Sequence, residues 1–171
     1  MMSSRTRKIV LLSVSAALAM IFSYVESLIP FYFGVPGMKL GLSNICIVVI
    51  MFTIGEIPAL FVNILRIVLT ALLFTNIFSL VFSLAGAFLS FLVMVAIKRI
   101  FRLSAMSVSL FVGIAHNAGQ LIAAAIIVKE YAVLFYLPVL LLSGAATGFL
   151  IGLLARMLIP RLKTFIINSG G

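Results

Sequence analysis

The sequence predicts an all-α membrane protein of six transmembrane helices, and three observations carry that prediction. Hydrophobic residues make up 65% of the 171 positions and charged residues only 9%, with a mean hydropathy of +1.41. A water-soluble domain needs about a quarter charged residues to coat its surface. The apolar residues fall in runs close to the ~20 residues that a bilayer core requires. Nine of the twelve Lys and Arg residues lie in three clusters that an even number of crossings brings to one side.

The first run covers 9–29 and carries Glu26 near its end. Residues 1–20 resemble a signal peptide, with Ala17-Leu18-Ala19 as a cleavage site. The apolar character continues to Ile29, so a retained span is expected. The second run, 40–54, is short. The third, 57–74, starts near Pro58 and must carry Arg66 inside it. Between Ile67 and Ile97 no charge occurs, a stretch too long for one span; "FTNIF" (74–78) divides it and starts a fourth helix over 78–97. The fifth and sixth spans are 105–128 and 132–156.

Orientation follows from the basic clusters: Arg5, Arg7 and Lys8; Lys98, Arg99 and Arg102; Arg156, Arg161 and Lys163. Cytoplasmic loops carry the excess of Lys and Arg, so both ends of the chain are expected in the cytoplasm of a prokaryotic-type plasma membrane. Only Lys39 and Lys129 remain for the outer side. The net charge of +9 does not point to nucleic acid, because no basic face with interleaved stacking residues is present. Cys46, the single cysteine, reads as a small buried residue. Neither a repeat nor a linker interrupts the chain, which is expected to form one domain over 1–171.

Several chemistries are missing. There is no aspartate and only three glutamates, Glu26, Glu56 and Glu130. Metal-dependent diphosphate chemistry needs clustered carboxylates to hold Mg²⁺. Nor is there a phosphate-binding loop for ATP or a Cys/His metal cluster. The sequence therefore predicts a protein with no catalytic residues, no metal and no cofactor, whose work across a membrane would draw on partner ATPases.

Polar groups at membrane depth are the candidate site residues, because an ionisable side chain there costs a few kcal/mol and faces the bundle interior or a cavity. In "NILRIVLT", Asn63, Arg66 and Thr70 recur at i, i+3 and i+7 and share one helical face. Arg66 reads either as an anchor for an anionic or carbonyl-bearing ligand or as a structural partner of Glu26 or of backbone carbonyls. In "GIAHNAGQLI", His116 and Gln120 share a face and Asn117 lies about 100° round; these read as ligand contacts or as interhelical hydrogen bonds. The third cluster is "GVPGMKLGLSNI". Pro36 and Gly37 favour a turn, Gly41 permits backbone geometry closed to other residues, and Lys39 and Asn44 bring polar groups to the start of the second run. Irregular backbone at membrane depth survives only where it is buried in protein or lines a cavity. The stretch is read as a folded-in loop with Glu26, Pro36, Gly37 and Gly41 as gating elements, or as an interfacial turn. Gly144, Gly148 and Gly152 form a small-residue seam for close helix contact, and Ser15, Ala19 and Ser23, with Ser13 and Ala17 alongside, form a second.

"ESLIPF" (26–31), "PGMKLGLSNI" (36–45) and "HNAGQL" (116–121), in this order on a six-span chain, resemble the Gx transporter family. Its members are often labelled heptaprenyl diphosphate synthase component I, and the family is similar to the substrate-binding S-components of energy-coupling factor (ECF) transporters. The likeness covers nearly the whole chain. It implies an S-component-like bundle that binds a small, anionic, vitamin- or isoprenoid-like molecule, with a coupling protein and two cytoplasmic ATPases as partners in an uptake transporter. Residue by residue it implies that Lys39, Gly41 and Asn44 in the loop, and His116, Asn117 and Gln120 in the fifth span, form the binding site. S-components use small residues on their first helix to meet the coupling subunit, a role that would fall to Ser13, Ala17 and Ala19. The alternative implied by the label is a non-catalytic membrane accessory subunit of heptaprenyl diphosphate or quinone biosynthesis.

Overall fold

The computed structural model describes residues 3–28, 39 and 41–167, and among them every regular element is helical. The helices are α1 (Ser4–Leu28), α2 (Asn44–Thr53), α3 (Glu56–Phe74), α4 (Ile77–Ala96), α5 (Ala105–Val128) and α6 (Leu137–Ile167). A π-helical turn, Ile97–Phe101, follows α4, and a 3-10 turn, Tyr131–Tyr136, leads into α6. Five of these stretches are long and apolar enough to cross a membrane, namely α1, α3, α4 with its π turn, α5, and α6 with its 3-10 turn.

The second expected span, 40–54, holds only the ten-residue α2. At 1.5 Å per residue it is about 15 Å long, half of a ~30 Å hydrocarbon core. Every residue from Asn44 to Met51 is buried, and α2 touches α1, α3, α5 and α6. Its apolar character serves packing against protein on all sides, with no lipid-facing surface over that stretch. Hydropathy cannot separate these two surroundings.

The other helices are inverted relative to a soluble protein. On α1, Ser15, Ala19, Ser23 and Glu26 are buried, while Ile9, Val14, Leu18 and Ile21 are exposed. On α3, Asn63, Arg66 and Thr70 face inward, and Ile57, Phe61 and Leu72 face out. In water such a surface would be one continuous apolar patch. In hydrocarbon the apolar exterior is matched by its solvent and only the polar interior needs partners.

Contacts at one end gather the basic clusters. Arg7 Nη1 donates to the Phe165 carbonyl at 2.8 Å, and its guanidinium lies 5.2 Å from the centroid of the Phe165 ring. The beginning of α1 and the end of α6 therefore meet. Lys98 Nζ donates to the Met51 carbonyl at 3.1 Å, and Lys98 and Arg99 both pair with Glu56. These bonds tie the α2–α3 turn to the connection between α4 and α5. Because α6 runs antiparallel to α5, with Gly152 beside Met106, its basic tail lies at the same end.

Element boundaries follow local chemistry. Asn76 splits the long charge-free stretch as expected, its side chain accepting from Ser79 N–H at 2.9 Å as an N-cap. Ser104 caps α5 in the same way. By contrast, α6 continues well past the expected end at 156, through Pro160. Ile159, Leu162 and Ile166 on this extension are packed inward, Ile159 and Leu162 within the main core cluster.

The Gly144/Gly148/Gly152 seam is an internal contact with α5. A Cβ added at Gly148 would lie 2.4 Å from the Ser109 carbonyl oxygen, and one at Gly144 2.6 Å from that of Gly113. The helices meet backbone to backbone, which only glycine permits. Gly148→Leu is expected to destabilise the protein by at least the ~1–3 kcal/mol typical of overpacking, read as a drop in melting temperature. Ala146→Leu, on the exposed side of the same helix, should leave it unchanged.

Candidate polar binding centre

Arg66 stands near the middle of α3, about 15 Å along the helix from Glu56. It is 4% exposed, and its guanidinium makes three hydrogen bonds. Nε donates to Asn63 Oδ1 at 3.0 Å, Nη1 to Ser23 Oγ at 3.1 Å and Nη2 to Asn44 Oδ1 at 3.3 Å. The i, i+3 spacing on α3 supplies the first partner, while α1 and the first residue of α2 supply the others. All three acceptors are neutral. Among the described residues no carboxylate comes within ion-pairing distance of Arg66; the ion pairs found there are those of Glu56. The structure thus does not make the Arg66–Glu26 contact pair that the sequence offered as one reading.

Glu26 is engaged elsewhere. Its Oε1 accepts from the backbone N–H of Gly41 and, at 2.9 Å, from that of Leu42. These groups open the turn that leads into α2, where Asn44 N–H bonds to the Gly41 carbonyl at 2.9 Å. A carboxylate at this place satisfies donors that a helix start leaves free and complements the positive end of the helix dipole. Glu26 of α1 therefore anchors the segment that enters α2.

The same segment is held from the other side by α5. Gln120 uses both halves of its amide on one residue: Oε1 accepts from Lys39 N–H and Nε2 donates to the Lys39 carbonyl, each at 2.9 Å. One turn earlier, His116 lies between two glycines. A Cβ on Gly41 would come within 3.0 Å of the His116 ring at Cδ2, and one on Gly86 of α4 within 3.1 Å at Cε1. Gly41 also has a φ of 88°, which side chains larger than hydrogen disfavour. Both the close approach of His116 and the left-handed backbone at this position call for glycine.

The structure thus brings Lys39, Gly41 and Asn44 together with Asn63, Arg66, His116 and Gln120. It does not bring Asn117 into this group. Asn117 Nδ2 donates to the Leu140 carbonyl at 2.9 Å and to Ser143 Oγ at 3.3 Å, tying α5 to α6. Ala19 is fully buried within the core, so of the three small residues assigned to a partner surface only Ser13 and Ala17 are exposed on α1. Pro36 and Gly37 lie outside the described residues.

Sequence reasoning missed Ser23 as a partner of Arg66 and Gly86 as a neighbour of His116. A signal for the latter exists: Ser79, Ser83, Gly86 and Ser90 recur at helical spacing on α4, and all are buried.

Among the described residues, the buried polar atoms with no hydrogen-bond partner include Glu26 Oε2, Asn44 Nδ2, Thr70 Oγ1, His116 Nδ1 and Ser43 Oγ. Most buried polar groups are paired with protein or water, so these five atoms are free, within the described residues, to take a further hydrogen-bond partner. The formal charges of Lys39, Arg66 and Glu26 leave one positive charge in excess. Donors, acceptors and a cation of this kind can hold an anionic or carbonyl-bearing group.

No curated protein and no solved structure matches the chain. A family model does, over residues 15–158, a range that contains every residue of the polar centre. The chain is a membrane protein belonging to the heptaprenyl diphosphate synthase component I family.

Proposed function

We infer that the chain is the membrane-embedded substrate-binding subunit of an ECF-type uptake transporter, itself without catalytic activity. The observation that carries this reading is Arg66, a buried guanidinium that, among the described residues, donates to three neutral acceptors and lies beside residues with unpaired polar atoms such as Asn44 Nδ2. A buried cation is stabilised by a closely placed anion, and the positive excess at the centre favours a small anionic ligand. Lys39, held by Gln120, and Gly41 and Leu42, held by Glu26, form one wall of the site.

In this reading α1 and α6 begin and end on the cytoplasmic side of a plasma membrane, and the chain makes six passages. The second of these includes α2. The meeting of Arg7 with Phe165 supports an even number of crossings, and the basic clusters support the orientation. With no nucleotide-binding loop in the sequence, energy comes from two cytoplasmic ATPases through a coupling protein, for which Ser13 and Ala17 on α1 remain accessible. Purification from native membranes in mild detergent is expected to recover ATPase chains and an integral coupling subunit. Recovery of a soluble prenyl diphosphate synthase chain in their place, or of no partner, would contradict the assignment.

A further inference from the structure

Between α3 and α4 the bundle surface opens into a groove of about 470 Å³, within the ~300–1,000 Å³ range of small-molecule sites. Its rim includes Ile64, Leu84 and Phe88, which are 47%, 37% and 69% exposed, so the mouth faces the surrounding lipid. Its floor includes Asn63, Ile67 and Ala87, all buried. Asn63 is the one polar residue of the lining, and it is also the residue whose Oδ1 accepts from Arg66 Nε. The groove therefore leads from the bilayer to the first partner of the buried guanidinium.

We propose that this groove admits the apolar tail of an anionic amphiphile whose head group binds Arg66, so that the ligand enters sideways from the bilayer. The proposal rests on the reading of Arg66 as an anion site. A tail gains little by leaving lipid for a protein groove, because hydrocarbon is as apolar as the leucines that line it. A specific occupant must then be anchored by its head. An anionic oxygen that replaces Asn63 Oδ1 on Nε adds the attraction of opposite charges to the hydrogen bond, which the neutral amide oxygen does not supply. The ligand class is a single-tailed phosphate or carboxylate, and simple bilayer lipid is the competing occupant.

The full chain in phosphatidylcholine nanodiscs tests this with dodecyl phosphate carrying a photoreactive diazirine at the tail end. Dodecyltrimethylammonium with the same tail is the comparator. Labelling by the phosphate is expected between Leu84 and Leu92. Leu84→Trp, which fills the groove from its exposed rim without touching the core, should suppress it. Arg66→Gln should reduce it by about ten-fold or more, as expected for a lost hydrogen bond to a charged group. Equal labelling by the cationic probe, or labelling indifferent to both substitutions, would overturn the proposal and leave the groove to bilayer lipid. Thermal stabilisation by butyl phosphate, which has no comparable tail, separates the two claims. If butyl phosphate stabilises the wild type while the tail probe labels indiscriminately, the groove inference fails and the anion site stands. Indiscriminate labelling together with no stabilisation by butyl phosphate removes both.

Discussion

Arg66→Met is expected to lower the melting temperature sharply, and adding Glu26→Gln is not expected to restore it. Removal of the guanidinium strips hydrogen bonds from Asn63 Oδ1, Ser23 Oγ and Asn44 Oδ1 at once. Each buried acceptor left unpaired costs about 1–3 kcal/mol, so the total is several kcal/mol against a stability of roughly 5–15 kcal/mol. A contact ion pair behaves differently: deleting one member is costly, while deleting both is close to neutral. Here Glu26 binds the N–H groups of Gly41 and Leu42 and makes no contact pair with Arg66. Its neutralisation weakens the anchor of the α2 entry and adds a second defect. Thermal melting of both single variants and the double variant checks this; recovery in the double variant would show that the two charges act as a pair after all.

Gly41→Ala is expected to have the second large effect, on both stability and ligand binding. The backbone there has a φ of 88°, which costs an ordinary residue on the order of 1–3 kcal/mol. The added methyl would also lie 2.7 Å from Asn44 Nδ2 and 3.0 Å from the His116 ring. Asn44 is a partner of Arg66, so displacing it perturbs the guanidinium as well as the segment. A melting curve reads the first consequence and ligand affinity the second. Unchanged affinity in a folded Gly41→Ala variant would mean that the contact between this segment and α5 plays no part in binding.

Much of this architecture was legible in the residues. The i, i+3, i+7 spacing of Asn63, Arg66 and Thr70 put them on one face, and the fold keeps that face inside. "FTNIF" divided the long charge-free stretch, and the structure shows Asn76 within it capping α4. The glycine period of α6 announced a close helix contact, which turned out to be with α5. Other features depended on contacts between distant segments. "NICIVVIMFT" is as apolar as a lipid-facing span, so its central place and its short length could not be read from hydropathy. The partner of Glu26 was equally hidden, because backbone N–H groups carry no sequence signature. Asn117, one position from His116, turns to α6 because a step of about 100° on a helix carries a side chain to a different neighbour.

The proposed function depends on Arg66 receiving an anionic ligand. Native mass spectrometry of the protein released from its own membrane, wild type beside Arg66→Gln, tests this most directly. The wild type is expected to carry a bound anionic small molecule of constant mass, and Arg66→Gln, folded by its melting curve, to carry none. A folded variant that retains the same adduct, or a wild type that carries none and is not stabilised by added phosphate or carboxylate amphiphiles, would contradict it.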